Sequence, residues 1–159
     1  MVLAAAALAL SAACTADEPD IQVPPQLAGL PMSEVSIETE SGTHRFRVWV
    51  AADPASRERG LMFVRELPAD HGMLFLLDRV QYTTFWMKDT YLALDLIFIG
   101  ADGRVVNVAH DAQPFSEDSI PSAAPVAAVL ELVAGTARRM RLASGDRVHW
   151  TAPSMDHQR

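Results

Sequence analysis

In two short segments a bulky apolar residue stands close to a cation: Arg59-Gly60-Leu61-Met62 and Phe85-Trp86-Met87-Lys88-Asp89-Thr90. A segment that serves only the core has little reason to do this, so the pairing marks a candidate site. Side chains alternate along a strand, so Phe85 and Met87 share an inward side while Thr84, Trp86 and Lys88 share the other. Trp86 and Lys88 then stand roughly 7 Å apart on one face, close enough to line one concave surface. A ring beside an ammonium can hold a ligand that is flat on one side and anionic on the other. An edge tryptophan with a solvated lysine beyond it produces the same pattern without any ligand.

Two carboxylates add to this. Asp95 shares a strand face with Ile97 and Ile99, and Glu131 shares one with Val129 and Val133, so each is set into an apolar stripe. An ionised carboxylate there is costly unless paired, and the nearest partners by motif are Lys88 and Arg59. A buried ion-pair network that fixes loops is one reading. The other leaves a carboxylate unpaired and protonatable, able to act as a general acid or base. Met62, Met73 and Met87 with His71 offer soft ligands of the kind cuprous copper takes, but no Met-x-Met or His-x-x-x-His spacing exists and methionine is an ordinary gap-filler. No metal or cofactor is expected. Ser116, Ser119 and Ser122 lack a Gly-x-Ser-x-Gly elbow, which argues against a serine hydrolase.

The elements that must position these residues fit one domain, as expected for 159 residues of which 50% are hydrophobic. Residues 35–38 and 46–50 alternate around Ser41-Gly42-Thr43 and read as a hairpin. Asp53-Pro54 caps a short helix over 55–59, which Gly60 stops. Strands are predicted over 72–77 and 82–87, separated by the polar corner Asp78-Arg79, then over 94–99, 104–110, 126–133 and 147–150. Residues 112–125 read as a long surface loop, and 136–142 as a short Arg-rich helix. The fold class expected is mainly β with two short helices, a compact jelly-roll-like β-sandwich or a partly open barrel.

Residues 1–14 are uncharged and almost entirely Ala, Leu and Val, ending Leu10-Ser11-Ala12-Ala13-Cys14. A stretch this short does not span a bilayer but matches a secretory h-region, so export is expected. Ser11 and the missing basic n-region depart from the usual pattern, the latter as if Met1 lay inside a longer signal. Cys14, the only cysteine, excludes an internal disulfide and resembles the lipid-modified cysteine of a bacterial lipoprotein. Ordinary cleavage after Ala13 is the alternative. Residues 15–32 read as a Pro-rich tether, 33–150 as the β-rich domain and 151–159 as a frayed tail. A net charge of −7 without basic runs repels nucleic acid and anionic lipid, so membrane contact is expected only through a lipid on Cys14.

Arg59-Gly60-Leu61-Met62, Gly72-Met73-Leu74-Phe75, Phe85-Trp86-Met87-Lys88, Leu94-Asp95-Leu96-Ile97-Phe98-Ile99 and Val129-Leu130-Glu131 resemble, in order and spacing, the family called domain of unknown function 192. The resemblance runs from about Val35 to Trp150. It implies a single compact β-rich domain, often exported, with no established activity. The family pattern usually carries Asn where this chain has Asp89, which would place an extra negative charge beside Lys88. The expected function is an exported cell-envelope binding or accessory module, monomeric, that takes a small polar ligand or glycan through Arg59, Trp86, Lys88, Asp89, Asp95 and Glu131. The alternative is an envelope hydrolase or lyase with Glu131 or Asp95 as acid or base, for which the two carboxylates would have to face each other roughly 5–9 Å apart.

Overall fold

A computed structural model describes residues 23–151. The expected export segment, Cys14, the first part of the tether and the tail beyond Thr151 lie outside the described residues. After a single 3₁₀ turn at Pro25–Leu27, the chain forms β1 (Met32–Thr39), β2 (Gly42–Ala51), α1 (Pro54–Arg59), β3 (His71–Gln81), β4 (Thr84–Phe85), β5 (Leu94–Ile99), β6 (Val105–Ala112), β7 (Ile120–Pro121), β8 (Val126–Val133), α2 (Thr136–Arg139) and β9 (Arg147–Trp150). Seven strands form one sheet in the order β6-β5-β8-β3-β2-β1-β9, curled into a half-barrel, and β4 pairs with β7 in a separate ribbon. The fold is mainly β with two short helices, the partly open barrel of the two expected architectures.

The curl brings the two edge strands together at one end. Arg104 and Arg147 form an isolated antiparallel bridge there, and Val105 N–H donates to the Asp146 carbonyl at 2.9 Å while Val148 N–H donates to the Gly103 carbonyl at 2.8 Å. All pairings are antiparallel except β2 with β3, so residues 52–70 must cross over the sheet between them. That crossover carries α1. Asp53 accepts from Ala55 N–H and Ser56 N–H, both at 3.0 Å, and Ser56 Oγ accepts from Asp53 N–H at 3.2 Å to complete a capping box. Gly60 ends the helix at φ 50°, and a Cβ there would meet the Phe75 ring at 3.0 Å.

Because the sheet is covered on both sides, its central strands are apolar on both faces, and every residue of β5 is buried. One face carries Ile37, Val48, Leu74, Ile97 and Leu130, closed by Ala137 and Met140 around α2. The other carries Trp49, Met73, Phe75, Leu96, Phe98 and Val129, covered by Leu61 and Val64 of the crossover and by Phe85 and Met87. Gly72 holds β3 tightly against β8, since a Cβ there would lie 2.4 Å from the Glu131 carbonyl oxygen.

The structure departs from the sequence reading in two regions. Residues 23–31, expected to be part of the tether, pack on the domain: Leu27 is buried in the second core and Val50 N–H donates to the Pro31 carbonyl at 2.8 Å. The other region follows β3. The expected corner at Asp78-Arg79 is not a break: β3 runs on to Gln81, and only its register with β8 shifts, between Leu76 and Gln81. The strand expected over 82–87 shrinks to the two residues of β4, because this segment bonds to the 112–125 loop instead of the main sheet. Met87 N–H donates to the Ser116 carbonyl at 2.8 Å and Phe115 N–H to the Thr90 carbonyl at 3.2 Å. The loop in turn contains β7, which Pro121 keeps short by lacking an N–H.

Candidate functional site

The second face of the sheet holds a cavity of about 330 Å³ between the end of α1, the end of β3 and the β4 segment. Glu131 of β8 lies at its floor. Its cross-strand neighbours are Met73 of β3 and Leu96 of β5, both fully buried, and the Glu131 side chain is itself only 5% exposed. Among the described residues no side chain or backbone N–H bonds its carboxyl. Burial without a partner disfavours the ionised form and pushes its pKa up to about 8. At neutral pH Glu131 is therefore a neutral acid that can donate a hydrogen bond into the cavity.

The walls come from the two motifs. Arg59, the last residue of α1, lines the mouth and is exposed, with no ion pair among the described residues. Trp86 is 48% exposed and forms a side wall, while Phe75, Phe85 and Leu61 supply the apolar lining. Phe85 meets Phe75 edge-on at 5.0 Å, which fixes the back of the cavity. Thr83, Thr84 and Thr90 contribute hydroxyls, and Gln81 an amide. Arg57 also borders the cavity, but it is committed: its guanidinium donates to the Ala52 carbonyl at 2.6 Å, the Leu76 carbonyl at 2.9 Å and Asp78 Oδ2 at 2.7 Å. It clamps α1 to the end of β3.

Lys88 and Asp89 stand on the other side of Trp86. Lys88 Nζ lies 5.3 Å from the centre of the Trp86 ring, and both residues border a shallower recess shared with Arg59, Met62 and Phe63. Asp89 has φ 52°, and its carbonyl accepts from Phe63 N–H at 2.9 Å. Asn and Asp are the residues that tolerate this left-handed conformation, so the position is set by the turn before any charge is considered.

Asp95 is not part of the site. Leu132 stands opposite Asp95, whereas Leu96 stands opposite Glu131, so the two carboxylates point to opposite faces of the sheet. Asp95 is fully buried and accepts from Asp111 N–H at 2.9 Å and from Ala137 N–H at 2.8 Å. It ties α2 and the left-handed Asp111 to β5. The salt bridge expected between a buried carboxylate and Lys88 or Arg59 is absent for both acids among the described residues.

Sequence reasoning missed Phe75, Gln81, Arg57 and the threonines. Only Thr83-Thr84 carried a local signal, being hydroxyls directly before Phe85. The methionine and histidine group is likewise dispersed into structure. Met73 and Met87 are core residues, and His71 Nδ1–H donates to Asp70 Oδ1 at 2.8 Å, its ring 5.4 Å from Trp49 and its Nε2 buried without a partner. Among the described residues no group of three or more His, Cys, Asp or Glu side chains could hold a metal ion.

The sequence profile of DUF192, described as an uncharacterized ACR, matches residues 35–150, from within β1 to the end of β9. The chain is a member of the DUF192 family. Two crystal structures are similar to it. A suggested transcription regulator from Sinorhizobium meliloti 1021 is 44% identical, with a TM-score of 0.74 over 77% of this chain and 95% of that one. A protein of unknown function from Novosphingobium aromaticivorans DSM 12444 is 42% identical, with a TM-score of 0.77 over 81% of this chain and 91% of that one. No curated protein matches the chain. The DUF192 match spans all five motifs that carried the resemblance, and with them Arg59, Trp86 and Glu131.

Proposed function

We propose that this DUF192 member is an exported cell-envelope module that binds a small polar, saccharide-like ligand in the Glu131 cavity. The observation that carries the reading is a neutral-leaning acid with no hydrogen-bond partner at the floor of a 330 Å³ cavity walled by a half-exposed tryptophan. The Glu131 carboxyl opens on the cavity with no protein partner among the described residues, so an incoming hydroxyl or carbonyl can bond it directly. Trp86 supplies a flat stacking wall and Arg59 an uncommitted cation at the mouth. Export rests on the apolar residues 1–14, and attachment to the membrane on a lipid at Cys14.

Asp95 lies across the sheet, so the hydrolase reading is left without its second carboxylate, and binding is preferred. The test is a thermal-shift screen of envelope glycans, sugars and metal ions against the wild type and Trp86→Ala. A stabilising ligand should lose at least about 1.4 kcal/mol, or tenfold in Kd, with the variant still folded. Unfolding of Trp86→Ala, or ligand stabilisation that survives it, would remove Trp86 from the site.

A further inference from the structure

We propose that the ligand class of this cavity is a ring-shaped monocarboxylate, a sugar acid, taken up together with a proton held on Glu131. The inference rests on the ligand-binding reading above and adds the charge of the ligand. The cavity volume is at the small end of the range for ligand sites and suits one ring rather than a chain.

Among the charged groups that face Glu131, only Arg59 favours an anion. From α1 come Arg57, Glu58 and Arg59. Arg57 is neutralised by Asp78 at 2.7 Å, and Glu58 stands exposed on the rim. From β3 comes His71, two residues along from Met73 on the same face and bonded to Asp70. β5 presents only Leu94, Leu96 and Phe98 on this face, and residues 81–90 bring to the cavity only the neutral Gln81, Thr83, Thr84, Phe85, Trp86 and Thr90. Arg59 is thus the one cavity-lining cation, among the described residues, with no committed partner, and its planar fork is matched to a carboxylate.

A sugar acid would set its carboxylate at Arg59 at the mouth, lay a ring face on Trp86 and send hydroxyls toward Thr83, Thr84 and Glu131. An ionised Glu131 would repel such a ligand and leave two anions in one desolvated space. A protonated Glu131 donates to it. Ligand binding and protonation of Glu131 therefore reinforce each other, and by linkage the affinity falls as pH rises through the titration of this acid.

The experiment uses three sugars on one pyranose ring: D-glucuronate, anionic at carbon 6; D-glucose, neutral; and D-glucosamine, which is cationic at carbon 2 only at the lower pH. Each is titrated calorimetrically into the purified protein at about pH 6.5 and about pH 9, in buffers of different ionisation enthalpy. Glucuronate is expected to bind about tenfold tighter than glucose at the lower pH, to lose about tenfold at the higher, and to take up a proton near pH 8. Glu131→Gln keeps the donor and should bind glucuronate with neither pH dependence nor proton uptake. Arg59→Gln should erase the preference for glucuronate over glucose. Glucose or glucosamine binding as tightly as glucuronate, or a pH dependence that survives Glu131→Gln, overturns the inference and leaves the saccharide reading standing. Binding of none of the three overturns both.

Discussion

At the scale of single residues, Glu131 couples folding to pH. Its pKa is raised from 4.5 in the unfolded chain to about 8 in the fold, so the folded state holds more protons than the unfolded one between those values. Its effect on stability is most favourable below about pH 4.5 and is lost as pH rises to about 8, an effect of at most roughly 4–5 kcal/mol at 1.36 kcal/mol per unit. Asp70 acts in the opposite sense: the hydrogen bond with His71 holds its carboxyl below the usual value, so that contribution is lost as pH falls toward and below 4. Melting temperature against pH should accordingly peak near pH 5 and decline toward pH 8. Glu131→Gln should flatten the alkaline side and raise the melting temperature at pH 8. A wild-type profile flat from pH 5 to 8 would show that Glu131 is already paired in solution.

At the scale of elements, two acids do structural work that their sequence context did not announce equally. Asp53 before Pro54 is a visible cap, and its removal should cost about 1 kcal/mol while loosening the turn that ends in Arg59. Denaturant titration of Asp53→Ala, with ligand affinity measured beside it, checks both effects. Asp95 is an invisible cap, because its partners Asp111 and Ala137 are 16 and 42 residues away. Asp95→Ala strands two backbone N–H groups and should destabilise by roughly 2–5 kcal/mol. Chemical denaturation measures it, and a loss under about 1 kcal/mol would argue that water replaces the carboxylate.

Asp95 and Glu131 show what a sequence can and cannot disclose. Periodicity within one strand correctly set Asp95 and Glu131 into apolar stripes, and β8 and β9 were legible to the residue for the same reason. Yet in a sheet buried on both faces there are two such stripes, and only the register between strands says which is which. That register is a long-range property, as is the parallel pairing of β2 with β3. Arg59, Trp86 and Glu131, which line one cavity, were legible as a group because each breaks a local pattern. Phe75 and Gln81 fit their patterns and so gave no signal.

At the scale of the whole molecule, net charge works against nucleic-acid binding by this chain. With a net charge of −7 and no basic run, it should not retard duplex DNA even at about 50 mM salt, where counterion release favours binding most. A mobility-shift titration that did show retardation would overturn this expectation.

The near-closure of the sheet has its own effect at this scale. Beyond the Arg104–Arg147 bridge, the outer side of β6 is occupied by side chains: Asn107 donates to the Pro121 carbonyl at 3.3 Å and accepts from Ala123 N–H at 2.9 Å, and Ser144 donates to the Val106 carbonyl at 2.9 Å. Edge strands are where β-proteins recruit a foreign strand or grow into aggregates. Here the start of that template, at Val105 and Val106, is capped by loop groups rather than by charge. Ser144→Ala would free the Val106 carbonyl, and light scattering of the variant measures how far that one cap guards the protein against association.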